Sequence, residues 1–256
     1  MGNFVILIGG PGLFKGCDKA HDQNWTNYIV PLQLAAQRNL YNKQADESVH
    51  WVLYEPPYRN RWLDDSVITP KEQQEDDGYN LHSIRKAAAD KLLAKGASSY
   101  INRIQMIANT HGIKYKGINK PDEFWGYLQS LSDNSITRVW YSGHASPDGL
   151  MLALAHDKVC RAIAFDKDMI KNSEILKRSS LKKKFRKTSN LVSKFYGCYT
   201  EEFAKEWNSV FGVSAAGAKK AIDFGVIDRP SNIANVMERI EKTPTLIGAP
   251  GWKEYK

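Results

Sequence analysis

The stretch Asn3-Phe4-Val5-Ile6-Leu7-Ile8, closed by Gly9-Gly10-Pro11-Gly12, decides how the rest of this chain is read. Five consecutive apolar residues leave no polar face, so a strand formed here must be covered on both sides. The glycines and proline that follow end it in a loop. Trp25 to Leu40 then carries helical spacing through Ile29, Leu32, Leu34, Ala35 and Leu40, and Val49-His50-Trp51-Val52-Leu53-Tyr54 reads as a second strand halted by Pro56-Pro57. Strand, helix, strand predicts a parallel βαβ unit.

Further along, Arg59 to Gly78 is polar and acidic and reads as an exposed excursion. Helices are predicted over Tyr79 to Lys95 and Ser98 to Thr110, broken at Gly96, and over Pro121 to Leu131. Ile136 to Tyr141 is a strand that runs into Ser142-Gly143-His144-Ala145, and Val192 to Tyr196 is a strand that runs into Gly197-Cys198. A helix over Thr200 to Phe211, capped by Gly212, leads to a last strand at Val213 to Ala216. The expectation is one α/β domain over residues 1–256, a mostly parallel central sheet with helices on both faces.

Hydrophobic residues make up 42% of the chain and charged residues 25%, a globular composition that excludes a disordered protein. No apolar run approaches the ~20 residues of a membrane helix, and no cleavable signal is visible, so no membrane partner is expected. Three widely spaced cysteines, Cys17, Cys160 and Cys198, suit a reducing compartment rather than a disulfide framework. The net charge of +8 is concentrated between Lys171 and Lys187, where eight basic residues meet one acid, Glu174. A single basic segment of this kind is ordinarily a solvated surface element, and nucleic acid is not the expected partner.

His144 and Cys198 carry the chemistry. Each follows an apolar strand directly and each is preceded by glycine. In parallel α/β sheets the carboxyl ends of strands converge on one crevice, so two such residues are placed to meet. The helix after Cys198 favours a thiolate at its amino end. A lone cysteine or histidine is more often a packed core residue, but the pair in matching contexts makes a nucleophile and its acid-base partner. Other motifs fail. Gly9 to Gly16 lacks the spacing and hydroxyl of a phosphate loop, and His156 with Cys160 has no second pair to complete a zinc site. No G-x-S-x-G elbow is present.

The order strand-Gly-His144, intervening elements, strand-Gly-Cys198, helix, strand resembles the caspase-like cysteine peptidases, over about Ile136 to Phe224 together with the first strand. The resemblance implies a caspase-like three-layer sandwich and a cysteine endopeptidase that needs no metal or organic cofactor. It also implies an oxyanion hole from the backbone amides of Ala145 and Cys198, and a specificity pocket drawing on Asp18, Asp22 and Tyr196. The family usually has glycine where this chain has Ala145, which keeps open a catalytically silent binding module as the alternative. Caspases have Gln-Ala where this chain has Tyr196-Gly197, which argues against an aspartate-specific enzyme. Tyr141-Ser-Gly-His-Ala145 with Val5-Ile-Leu-Ile-Gly-Gly10 is also similar to bacterial caspase-like effectors exported by type VI secretion. That likeness implies an antibacterial toxin, cytoplasmic as made and exported without a cleavable signal. Its partners would be a protein or peptide substrate and a cognate inhibitor (immunity) protein.

Overall fold

The computed structural model describes residues 1–13, 24–37, 46–66, 89–156, 162–187, 190–222 and 251–256. Its centre is a seven-stranded sheet. The opening apolar run forms β1 (Gly2–Ile8) and is followed by a short β2 (Gly12–Leu13). Next come helix α1 (Val30–Gln37), β3 (Glu47–Tyr54), helix α2 (Glu55–Ser66), helix α3 (Tyr100–Thr110), β4 (Lys114–Ile118) and helix α4 (Pro121–Ser130). The second half contributes β5 (Ile136–Ser142), β6 (His144–Ser146), β7 (Gly149–Met151), β8 (Leu154–His156), β9 (Ala162–Ile163) and β10 (Met169–Lys171). After these stand helix α5 (Asn172–Leu176), β11 (Ser193–Tyr196), helix α6 (Glu201–Phe211), β12 (Ala215–Ala218) and β13 (Trp252–Tyr255).

The large sheet runs β13-β12-β11-β5-β1-β3-β4, parallel except for β13. From β1 the chain winds outward through β3 and β4, then returns to β5 on the other side of β1 and winds the opposite way. Winding reverses between β1 and β5, the kind of switch point at whose carboxyl edge open parallel sheets place their binding sites.

Strand alternation builds a core on each face of the sheet. Phe4, Ile6 and Ile8 pack with Trp51, Leu32, Tyr100 and Ile104, covered by α1 and α3. Val5 and Leu7 pack with Val52, Phe124, Leu128 and Trp207, covered by α4 and α6. The fully apolar character of β1 follows from this two-sided cover. Helix α3 starts at Ser99, whose hydroxyl accepts from the amide of Asn102, and α6 stops at Gly212, which is left-handed at φ 66°.

Two expectations are corrected. The predicted excursion at 59–78 is helical over its described part, since α2 extends to Ser66; residues 67–78 lie outside the described residues. Pro56 and Pro57 stand in the first turn, where a missing N–H costs nothing, so they start the helix as well as ending the strand. Two of its charged residues are buried as a pair. Arg61 and Asp65, each 1% exposed, form an ion pair at 2.9 Å, and the Tyr100 hydroxyl donates to the second Asp65 oxygen at 2.7 Å. Edge strand β4 was not predicted, because Lys-Tyr-Lys-Gly-Ile carries too little apolar alternation to signal a strand. The helix over Trp25 to Leu40 is shorter than its periodicity suggests, beginning at Val30 after turns through Trp25 to Ile29.

The basic segment is also less solvated than expected. Ile175, Leu181 and Phe185 are buried in the core, and the Lys184 ammonium donates to the Leu131 carbonyl at 2.7 Å. Among the described residues no helix is long and apolar enough to cross a membrane.

His50, on β3, is 3% exposed; its Nδ1 shares a hydrogen bond with the Tyr127 hydroxyl. Burial, and then the charge of Lys114 beside it on β4, push its pKa from 6.5 down to about 4. A depressed histidine is neutral in the fold and protonates more readily in the unfolded chain. Stability from this group is therefore complete above about pH 6.5 and drains away as the pH falls to about 4. The urea midpoint should fall across that window, and His50→Leu should make the fall shallower; equal slopes would show that His50 does not contribute.

Candidate active site

The carboxyl ends of β1, β5 and β11 are level. Ile8 pairs with Ser142, and Ser142 pairs with Tyr196. Past these registered positions the backbones stay joined, since Gly9 N donates to Ser142 O at 3.0 Å and Gly143 N donates to Tyr196 O at 3.2 Å. His144 and Cys198 each stand two residues beyond the Ser142–Tyr196 pair, past the ends of β5 and β11, neighbouring strands that lie about 5 Å apart. The two residues singled out from sequence thus follow adjacent strand ends.

The glycine before each of them has a packing cause. A Cβ on Gly143 would come within 2.4 Å of the Tyr141 hydroxyl and 3.1 Å of the Gly9 Cα. A Cβ on Gly197 would come within 2.7 Å of the Ala145 Cβ. Backbones here approach too closely for any side chain, and that closeness brings the two strand ends together.

Two aromatic residues hold His144. The Tyr28 ring, fully buried just before α1, meets the imidazole edge-on at 5.2 Å between centroids. The Tyr141 hydroxyl reaches the carbonyls of both His144 and Met151, at 2.5 and 2.8 Å. Burial, reinforced by Tyr58 and Cys198 nearby, drives the Tyr141 phenol well above its ordinary range, so it stays protonated as a donor. It pins the hairpin that starts at His144 onto the end of β5.

Cys198 is half-buried, is not in a disulfide, and packs against the core beneath α1 and α3. The Ile222 amide donates to its Sγ at 3.3 Å, and the Sγ donates to the Ile222 carbonyl at 3.8 Å. The amide contact suits a thiolate and the carbonyl contact suits a thiol, so Ile222 anchors the sulfur without selecting either form. Tyr199 follows in the left-handed region at φ 57°, a conformation costing about 1 kcal/mol or more in a non-glycine residue. Its amide donates to the Lys220 carbonyl at 3.1 Å, which holds the turn. Helix α6 begins at Glu201 with Thr200 as its cap, and Glu201 and Glu202 occupy its first turn. The amino end of α6 therefore already faces carboxylates, and the amide that donates to the sulfur is that of Ile222.

Ala145 lies in a three-stranded sheet ordered β10-β7-β6. Asn172 N donates to Asp148 O and Leu152 N to Asp168 O, so alternation turns the Leu150 amide and carbonyl toward β10. Gly149 and Met151 then face β6, where they pair with Ser146 and His144. Ala145 opposes Leu150, so its N–H points out of the ladder at the free edge of β6. Ala145 does not lie in the left-handed region, so nothing in its backbone demands glycine.

The expected specificity residues fare differently. Asp18 and Asp22 lie outside the described residues, as do Cys17 and Cys160. Tyr196 is 1% exposed, with its ring edge-on to Trp140 at 5.4 Å and Trp252 at 5.3 Å. Strand alternation turns it into the core instead of toward a pocket wall. Sequence reading passed over Tyr28, Tyr141 and the Ile222 amide. Tyr141 has the appearance of one more apolar strand residue, and a backbone donor carries no residue signature. Among the described residues no three His, Cys, Asp or Glu side chains gather as metal ligands. No family model, curated protein or solved structure matches this chain.

Proposed function

We propose that this chain is a cysteine endopeptidase of caspase-like architecture, with Cys198 as nucleophile and His144 as general acid. The observation that carries the reading is the register of β5 against β11, which sets both residues two positions past one paired rung. The Cys198 thiolate attacks the scissile carbonyl carbon, and the carbonyl electrons move onto oxygen. Collapse of the tetrahedral intermediate breaks the C–N bond, and His144 gives its proton to the leaving amine. Water then adds to the thioester carbonyl as His144 takes its proton, and collapse releases the acid product with the thiolate and protonated His144 restored. The Ala145 and Cys198 amides would hold the oxyanion; supporting this, Ala145 has an amide directed away from its own ladder.

Digestion of a mixed peptide library by the purified chain tests the proposal: discrete cuts support it, and intact peptides throughout would return the silent binding module. That alternative drew on Ala145 standing in place of glycine, a motive weakened by its ordinary backbone. Ala145→Pro removes the amide at a position where β6 does not spend it on pairing. Cleavage should fall about 10²- to 10³-fold with the fold retained, whereas Ala145→Gly should cleave like the parent. Equal losses in both variants would argue against an oxyanion donor here. The type VI export route, the role as an antibacterial toxin and the cognate inhibitor protein belong to the same proposal, and rest on the resemblance of Tyr141 to Ala145 and Val5 to Gly10.

A further inference from the structure

The excess charge of this chain lies between Lys171 and Lys187, and folding sorts all of it but the exposed Lys177 into two groups. One group pairs with acids and stands outside the groove lining. Lys171 pairs with Asp166 at 2.8 Å, Arg178 with Asp122 at 2.7 Å, and Lys184 with Asp133 at 2.9 Å. The other group lines a groove of about 620 Å³ that includes Ser179, Ser180, Lys182, Lys183, Arg186 and Lys187. Of these, Lys183 and Arg186 touch acids, Asp133 at 3.3 Å and Asp46 at 2.9 Å, but both acids are more than half exposed. Such pairs are screened by water and exchange readily for another anion. Lys182 and Lys187 are exposed, as are Ser179 and Ser180, and no carboxylate is part of the lining.

The groove lies at the amino end of β5. Phe185 bridges to Ile136, and Arg186 N donates to the Ile136 carbonyl at 2.7 Å. Cys198 and His144 stand past the other end of that strand, about 20 Å away. The groove is thus a separate feature from the candidate active site, and what it binds does not depend on the peptidase reading.

Its lining indicates the ligand. Ammonium, guanidinium and hydroxyl groups form a donor set suited to phosphate oxygens. The lining's one aromatic side chain, Phe185, is 4% exposed and packs on Trp207 and Phe211, so no ring is offered for stacking a base. A small ligand is normally gripped in a largely apolar, enclosing pocket, which this open basic trough is not. A chain of regularly spaced phosphates gains instead from several modest contacts together with release of its counterions. We propose that this groove binds the phosphate backbone of nucleic acid, without reading its sequence. The basic segment on its own reads as a solvated surface; collecting four of its cations along one trough is the work of the fold.

Fluorescence anisotropy of the full chain with a labelled 20-base-pair duplex tests this. If all four lining cations meet phosphates, log K should fall against log salt with a slope of about −3.6, a loss of roughly a hundredfold between 50 and 200 mM. Two duplexes of unrelated sequence should bind alike. Lys182→Glu with Lys187→Glu should weaken binding at least tenfold and bring the slope to about −1.8. Lys114→Glu with Lys205→Glu, on β4 and α6, makes the same change in net charge away from the groove and should leave the slope near its parent value. Four results would overturn the proposal: no binding at 50 mM salt, equal weakening by both double variants, competition by polyglutamate as effective as by DNA, or a preference for one duplex sequence.

Discussion

Cys198→Ala is expected to abolish peptide cleavage, and His144→Ala to reduce it by about 10³-fold or more, with neither variant unfolded. The two losses should not add. Without the sulfur there is no acyl-enzyme for the imidazole to serve, so the double variant should be no worse than Cys198→Ala alone. Neither side chain is a pillar of the fold. Both are half-buried and sit past the ends of their strands, so truncation removes little packed surface. Library digestion with parent and variants, beside thermal unfolding curves, separates a chemical loss from a structural one. If His144→Ala cleaves as fast as the parent, the dyad is wrong even where Cys198 proves essential.

The largest effect on stability is expected at Trp207. Its side chain is fully buried on α6 and lies within 6.0 Å of the rings of Trp125, Phe185, Phe195, Phe203 and Phe211. Those rings come from α4, the basic segment, β11 and α6 itself, so a single residue ties three separate elements to the helix behind Cys198. Trp207→Ala should cost about 3–5 kcal/mol, the range for deleting a large buried aromatic. Because α6 packs against β11 and β12, the loss should also loosen the turn that carries Cys198. Urea denaturation measures the first effect, and the rate of Cys198 alkylation in the still-folded variant measures the second. A cost near 1 kcal/mol would mean that the cluster collapses to fill the space.

Much of the architecture was legible in local patterns, each for its own reason. The unbroken apolar run of β1 requires cover on both faces, which by itself predicts a central parallel strand. Helices α3, α4 and α6 announce themselves by spacing and by their boundaries, Ser99, Pro121 and Gly212. The misreadings came where charge stood for burial. Arg61 and Asp65 look solvated in sequence, yet at i and i+4 on one helix they neutralise each other inside the protein. Lys184 is likewise one more charge in a basic run, until a carbonyl and Asp133 are brought to it from 50 residues away.

Sequence by itself singled out the two residues of the proposed dyad, because a nucleophile and a base are side-chain identities, and a glycine following an apolar strand is a local signal. Tertiary structure decided everything that depends on distance between remote parts of the chain. It set the register that levels Ser142 with Tyr196, the Tyr28 and Tyr141 contacts that hold His144, and the Ile222 amide at the Cys198 sulfur. It turned Tyr196 inward and Ala145's amide outward, and it gathered four of eight basic residues into one groove. Such relations arise only when strands far apart in sequence are paired, since pairing fixes which face each residue presents and which atoms are left to meet a substrate.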